Sequence, residues 1–363
     1  MNCKKIFIAL LVIIATCNYS LKAQVFSENQ KMTKSFACFE GSSLDIVNKY
    51  GKVQIINHDY DSVRIQIDIT YKSNSLDKIN KVKELLSFDI TSTGHFIVAK
   101  TVFGKNQSVF QATMRDITEA FYTDNTVSID FTVWMPEYIN LSVDNKYGDF
   151  YIDNHRGTLN LKLSNGNIKA NNIYGTSYID HRFGNGTINL LTVSQMVTSY
   201  TDTKIKKSDQ LNIDSKSSTI NIDEVNVLKM ESRRDKFFVN KVNNLYCKTY
   251  FTDCNIQLVS AEVNVNTKYG VYNLNSIPAD FNYINLISRY SDINIFFEPG
   301  SGYDVDFEIK NTELSYPIHL AKIETTFNEK EKTSYIKGVI GNKSKNQKVK
   351  INAEQGNIVL SHK

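Results

Sequence analysis

Two histidines stand in nearly the same phrase, Tyr151-Ile152-Asp153-Asn154-His155 and Tyr178-Ile179-Asp180-His181. Histidines beside acids are common metal-site material, but a site needs three or four ligands at matched spacing. These two are 26 positions apart and no third ligand follows at a useful interval. They read as surface or turn histidines, with no metal site. Acids come next. Polysaccharide lyase or hydrolase chemistry on a β-helix needs carboxylates gathered on one face, with a base or calcium ligands. Asp144, Asp180 and Asp214 stand four places before the small residue of the repeat described below and Asp153 and Asp223 five places after one, separate columns rather than one gathered cluster. The GxSxG, HExxH and GxxxxGK[ST] patterns are absent. The expectation is therefore no enzyme, no catalytic residue and no cofactor, with a carbohydrate-active enzyme on a β-helix as the alternative. Cys247 and Cys254 flank Tyr250-Phe251-Thr252-Asp253. Either they meet across one corner as a disulfide or they are two buried small apolar residues.

A different constellation recurs. The phrase Asn-Lys-Tyr-Gly appears at 48–51 and 145–148, as Thr-Lys-Tyr-Gly at 267–270, and as Ser-Arg-Tyr-Ser at 288–291. Two places before the small residue stand Lys49, Lys146, Arg182, Lys216, Arg233, Lys268 and Arg289. One place before it stand Tyr50, Tyr147, Phe183, Tyr200, Phe251, Tyr269 and Tyr290. Cations beside aromatic rings can hold an anionic glycan by charge and stacking. The candidate ligand-binding residues are therefore Lys146, Arg182, Lys216, Arg233, Lys268 and Arg289 with Tyr147, Tyr269 and Tyr290. The competing reading is a solvated basic edge that prevents strand pairing, beside aromatics that close the core. Asp149, Asp235 and Asp292 are near enough in sequence to offset part of the like-charge repulsion. Three places before the small residue stand Asn48, Asn145, Thr198, Ser215, Ser232, Thr249, Thr267 and Ser288. By alternation these point inward, where stacked small polar groups can bond one another.

The elements that must position these residues are short strands. Gly148, Gly166, Gly184, Thr201, Ser218, Asp235, Thr252 and Gly270 follow one another at 17 or 18 positions, and Ser291 comes 21 later. Apolar residues alternate on both sides of each. A pair of short strands around a corner cannot bury its apolar face alone, whereas stacked copies bury a continuous core. That predicts an all-β fold, a parallel β-solenoid with rungs of 17–18 residues, rather than an antiparallel sandwich. Gly356 marks a last copy. The middle corners, from Thr201 to Thr252, lack glycine, which puts close turn geometry in question there.

Before the repeat, Leu44 to Ile55 reads as a first rung, running into a strand through Ile69. Apolar residues at 76, 79, 82, 85 and 86 have helical spacing, opened by Asn74-Ser75 as a cap. Strand returns over Phe88–Val102, residues 103–125 form a surface excursion, and Val127–Trp134 alternates until Pro136. Residues 303–340 read as long strands, with Asn328–Lys332 at a loop tip; together with the last rung they cap the stack.

Composition bounds the function. The 363 residues are 41% hydrophobic and 22% charged, with 20 Tyr, 20 Phe, one Trp and four Pro. Lys4-Lys5, the apolar run Ile6–Thr16 and Leu21-Lys22-Ala23 have the order of a secretory signal peptide. The run is shorter than the ~20 residues that span a bilayer. Ile14-Ala15-Thr16-Cys17 is a minor alternative, a lipoprotein box with Cys17 lipidated. Cleavage after Ala23 removes Lys4, Lys5 and Lys22, taking the formal charge from +4 to +1. A near-neutral chain argues against nucleic acid as a partner. It also leaves Cys38, Cys247 and Cys254, an odd number. The predicted layout is a signal peptide (1–23), an N-terminal rung with a strand–helix–strand insertion (24–138), stacked rungs (139–300) and a C-terminal cap (301–363). No transmembrane segment is expected in the mature chain.

Lys49-Tyr50-Gly51, Trp134-Met135-Pro136, Asn145-Lys146-Tyr147-Gly148-Asp149-Phe150, Asn165-Gly166-Asn167-Ile168 and Gly356-Asn357-Ile358-Val359-Leu360 complete a recognisable layout. It resembles the bacterial putative-adhesin family of β-solenoid envelope domains, a domain of unknown function. The resemblance covers nearly all of the mature chain. It implies a non-catalytic, exported adhesin-like or structural module of the periplasm, outer membrane or cell surface. Its partner would be an anionic glycan or an envelope protein. The family supplies no catalytic residues to carry over. A periplasmic partner or sensor in an envelope regulatory system is a third reading.

Overall fold

The computed structural model describes residues 25–104, 127–342 and 346–362. The expected signal peptide with Cys3 and Cys17, and nearly all of the excursion after Phe103, lie outside them. Among the described residues no helix is long and apolar enough to cross a membrane. These residues are all-β, with one α-helix and a long, mostly parallel sheet.

They fall into two compact units. The smaller takes in residues 25–30, 69–87, 103–104 and 127–128. It holds the helix Leu76–Leu85, which buries Ile79 and Val82 as the spacing requires. Ser75 occupies the N-cap position but makes no side-chain capping bond, a departure from the expected cap. Lys83 pairs with Glu28 and lies 5.4 Å from the centre of the Tyr71 ring.

The larger unit takes in residues 31–68, 88–102 and everything described from 129 onward. Its strands read buried, exposed, buried along their length, because successive side chains leave opposite faces. Parallel registers place like residues side by side. Ile46 faces Val143, Val143 faces Leu161, and Leu161 faces Ile179. Further along, Ile213, Met230, Cys247, Val265 and Leu286 are successive neighbours. After the corners, Ile220, Phe237, Cys254, Tyr272 and Ile293 do the same. Fully burying one such aliphatic side chain contributes ~1.5–3 kcal/mol, so these columns are the main source of cohesion.

The C-terminus departs from chain order. Strand Lys348–His362 lies between Tyr283–Phe297 and Tyr303–Ser315, parallel to both. Thr333–Ile340 then pairs antiparallel with Tyr303–Lys310, and Ala321–Asn328 pairs antiparallel with Thr333–Ile340.

The corners are made in two ways. In each, the residue before the small one is left-handed: φ is 58° at Tyr147, 58° at Phe183, 57° at Tyr200 and 58° at Tyr269. At Gly148, Gly166, Gly184 and Gly270 the glycine is not there to supply positive φ. A Cβ on Gly148 would fall 1.9 Å from the carbonyl oxygen of Gly51, and one on Gly166 2.1 Å from that of Gly148. Glycine lets neighbouring backbones approach. Where it is missing, the side chain bonds the neighbouring corner instead. The Thr201 amide donates to Ser218 Oγ at 3.1 Å, the Ser218 amide to Asp235 Oδ1 at 2.7 Å, and the Gly270 amide to Ser291 Oγ at 3.1 Å. Turn geometry therefore survives the loss of glycine. Burial pushes the Asp235 carboxyl up from its ordinary pKa, opposed by bonds from the Ser232 hydroxyl and from the Ser218 and Arg233 amides.

Candidate functional site

The registers order the cations at the corners. Lys49 faces Lys146, Ser164 stands between Lys146 and Arg182, and Lys216 faces Arg233. Tyr250 separates Arg233 from Lys268, Lys268 faces Arg289, and Glu354 separates Arg289 from Lys310. The cationic column is thus interrupted, which lowers the repulsion between like charges at adjacent-strand spacing. Where cations do adjoin, the effect is visible: burial and then the charge of Lys146 hold the Lys49 ammonium below its ordinary pKa.

The acids expected to offset this column do other work. Asp149 accepts from the Tyr151 hydroxyl at 2.8 Å and the Asn167 amide at 2.8 Å. Asp292 accepts from Asn357, and Asp235 is buried at its corner. The acids that do pair with cations are Asp180, 2.9 Å from Arg182, and Glu354, 3.6 Å from Arg289 and 3.2 Å from Lys310. Lys146, Lys216, Arg233 and Lys268 form no ion pair among the described residues.

The aromatic residues beside them form an exposed ladder. Tyr147 is 38% exposed, Phe183 and Tyr200 50%, and Tyr290 45%. Ring centroids are 5.5 Å apart for Tyr50 and Tyr147, and 5.1 Å for Phe183 and Tyr200. They are 4.9 Å apart both for Phe251 and Tyr269 and for Tyr269 and Tyr290. The planes are within 22° of parallel, so the rings stack. Asn165 interrupts the ladder after Tyr147, and Ser217 and Arg234 interrupt it after Tyr200; all three keep the left-handed φ. Lys268 Nζ lies 5.0 Å from the Tyr269 centroid and 6.0 Å from that of Tyr290, at the range of a cation–π contact. Of the nine candidate residues, Lys268, Arg289, Tyr269 and Tyr290 form one cluster, Lys216 with Arg233 a second and Lys146 with Tyr147 a third, while Arg182 stands apart, paired with Asp180. Sequence reasoning passed over Glu354, although it stands two places before Gly356, where the rule for the column puts it.

Beneath the ladder lies a polar corner. Asn145 Nδ2 donates to the carbonyls of Gly51 at 3.0 Å and Gly148 at 2.9 Å, and Thr198 Oγ1 donates to Ser215 Oγ at 3.1 Å. His181 sits in this same position, three before Gly184, and its Nε2 donates to the Gly166 carbonyl at 2.9 Å. His155 likewise reaches the Thr158 carbonyl at 3.2 Å. Both rings are fully buried, which corrects their reading as surface histidines. Burial holds both below the ordinary histidine pKa, so they are neutral at pH 7. Cys247 and Cys254 are buried free thiols. Burial pushes Cys254 up to about 12, and the Tyr272 hydroxyl bonds to it. Among the described residues no three His, Cys, Asp or Glu side chains are placed to hold a metal ion.

No protein-family model matches the chain, and no curated protein matches it. Among solved structures it is similar to a "putative cell adhesion protein" from Clostridium sporogenes ATCC 15579. The identity is 11%, over 93% of this chain and 100% of that one, with a TM-score of 0.18.

Proposed function

We propose that the chain is an exported, non-catalytic adhesin-like or structural envelope module, a parallel β-solenoid that binds an anionic glycan along its corner ladder. The observation that carries this reading is an exposed aromatic ladder held in left-handed backbone beside unpaired cations. Left-handed backbone costs a non-glycine residue roughly 1–2 kcal/mol, which Gly or Asn would relieve. Half-exposed rings recover part of that by burial, and a stacked pair returns about 0.5–1.5 kcal/mol more. The turn itself does not require an aromatic, since Asn165, Ser217 and Arg234 hold the same left-handed backbone at other corners. Flat ring faces with cations between them suit the apolar face and the acidic groups of a charged sugar.

The test changes Lys146, Arg182, Lys268 and Arg289 together to glutamine. Wild type is expected to bind acidic glycans or bacterial envelopes at low salt, and less at ~0.2 M salt, where charges more than ~8 Å apart are screened. The quadruple variant is expected to lose that binding. Equal binding by both proteins would leave the column as an edge-protecting, solubilising surface.

Export is part of the proposal and rests on Lys4-Lys5 and the short apolar run. Protein recovered from the envelope should have Gln24 as its first residue on N-terminal sequencing. An intact Met1 or a lipid on Cys17 would contradict cleavage at that place.

A further inference from the structure

The strand segments that follow the corners carry a second surface, independent of the ladder. Their outward side chains line an open groove of about 750 Å³ running from Gln54 to Asn221. Its floor is the sheet backbone at Ile152, Ala170, Ile188 and Ile205, whose side chains are buried on the other face. Registers fix its order: Gln54 beside Tyr151, Tyr151 beside Lys169, and Lys204 beside Asn221. With strands ~4.8 Å apart, the groove crosses about 24 Å of sheet.

Three groups of side chains face into it. Lys169, Lys204 and Lys206 are exposed and form no ion pair among the described residues. Asn171 and Asn189 are hydrogen-bonded into an amide ladder with Asn172 and Asn154, which fixes their orientation. Tyr151 stands one strand in from the Gln54 end, its ring held by the bond from its hydroxyl to Asp149. Two acids are also present, Asp153 near the Tyr151 end and Asp223 at the other. Asp223 is occupied in part by Asn240 Nδ2 at 3.1 Å. The lysines therefore hold the middle of the groove and the acids its ends.

Cations in the centre, fixed amides beside them and an aromatic face towards one end match a chain of sugar rings carrying carboxylates. Lysines would take the carboxylates, amides and terminal acids the hydroxyls, and Tyr151 an apolar sugar face. A volume in the range of ligand clefts is enough for several rings in a shallow site. We infer that this groove is a binding site for a carboxylated, uronate-type oligosaccharide. Such a chain engages several lysines at once, so its affinity depends on all of them together.

The test titrates the purified protein with an oligogalacturonate and, separately, with the fully methyl-esterified oligomer, which keeps the sugar backbone and removes the charge. Wild type is expected to bind the acid form and to bind the ester at least about tenfold more weakly, as for loss of two or three surface charge contacts. K169Q/K204Q/K206Q should lose at least about tenfold in affinity for the acid form while keeping its thermal midpoint, since all three side chains are exposed. The four-residue corner variant, which is expected to lose glycans held along the ladder, should still bind this oligomer in the groove, with a smaller loss of affinity than the triple variant shows. Failure of wild type to bind, equal affinity for acid and ester, or unchanged binding by the triple variant would each overturn the inference. Loss in the corner variant alone would also overturn it, and would leave the ladder as the glycan site.

Discussion

Val265→Asp is expected to lower the unfolding free energy by roughly 3–5 kcal/mol at neutral pH, read from urea denaturation midpoints. Val265 is fully buried, with Cys247 on one neighbouring strand and Leu286 on the other. A carboxylate there would have no cation or donor within its column, so desolvation would be uncompensated. The group would respond by holding its proton, its folded pKa rising above the unfolded ~3.9. The folded state would then bind more protons than the unfolded one, so stability would fall as pH rises from ~4 towards the raised pKa. The defect should accordingly be smaller at pH 4 than at pH 7. Asn266→Asp, one place on, is exposed and should cost under ~0.5 kcal/mol at both pH values. Similar losses for the two variants would mean that the inward and outward faces have been assigned wrongly.

That contrast rests on alternation, which is where the sequence was most informative. Val143, Leu161, Ile213, Val265 and Ile351 could be placed inward because strand side chains alternate, and all five are buried. The helix at Leu76–Leu85 was visible for the same kind of reason, a period near 3.6. Spatial order was not visible. Nothing in the spacing says that Lys348–His362 lies between strands ending at Phe297 and Ser315, because parallel pairing leaves no local mark when the chain returns from a long excursion. His181 was readable by column, three before Gly184, but its likeness to the phrase around His155 pointed to the surface. The cations of the candidate site followed from their spacing, whereas their partners did not. Asp180 reaches Arg182 within its own strand, and Glu354 reaches Arg289 only through the inserted strand. The groove of Lys169, Lys204 and Lys206 carries no sequence mark, because these lysines lie after the corner and belong to no repeated phrase.

Gly148→Ala is expected to cost ~3 kcal/mol or more, because its added methyl meets backbone rather than a movable side chain. The Gly51 carbonyl oxygen would be 1.9 Å from the new Cβ and its carbonyl carbon 2.3 Å away. That oxygen also accepts from Asn145 Nδ2 at 3.0 Å, so moving it disturbs a buried side-chain bond as well as the strand spacing. Two other glycines separate this crowding from the conformational preference of glycine. Gly94 has φ +58° with nothing within 4 Å of a built Cβ, so Gly94→Ala should cost only the ~1 kcal/mol of a left-handed alanine. Gly186 has no such φ and meets only the Thr203 side chain, at 3.1 Å, so Gly186→Ala should cost less than Gly148→Ala. Urea midpoints should therefore fall most for Gly148→Ala and little for the other two. A loss at Gly94 as large as that at Gly148 would mean that glycine serves its conformation at the corner too. The corners at Thr201, Ser218 and Asp235 indicate otherwise. They keep the left-handed residue one place earlier and fill the glycine position with a side chain that bonds the neighbouring level.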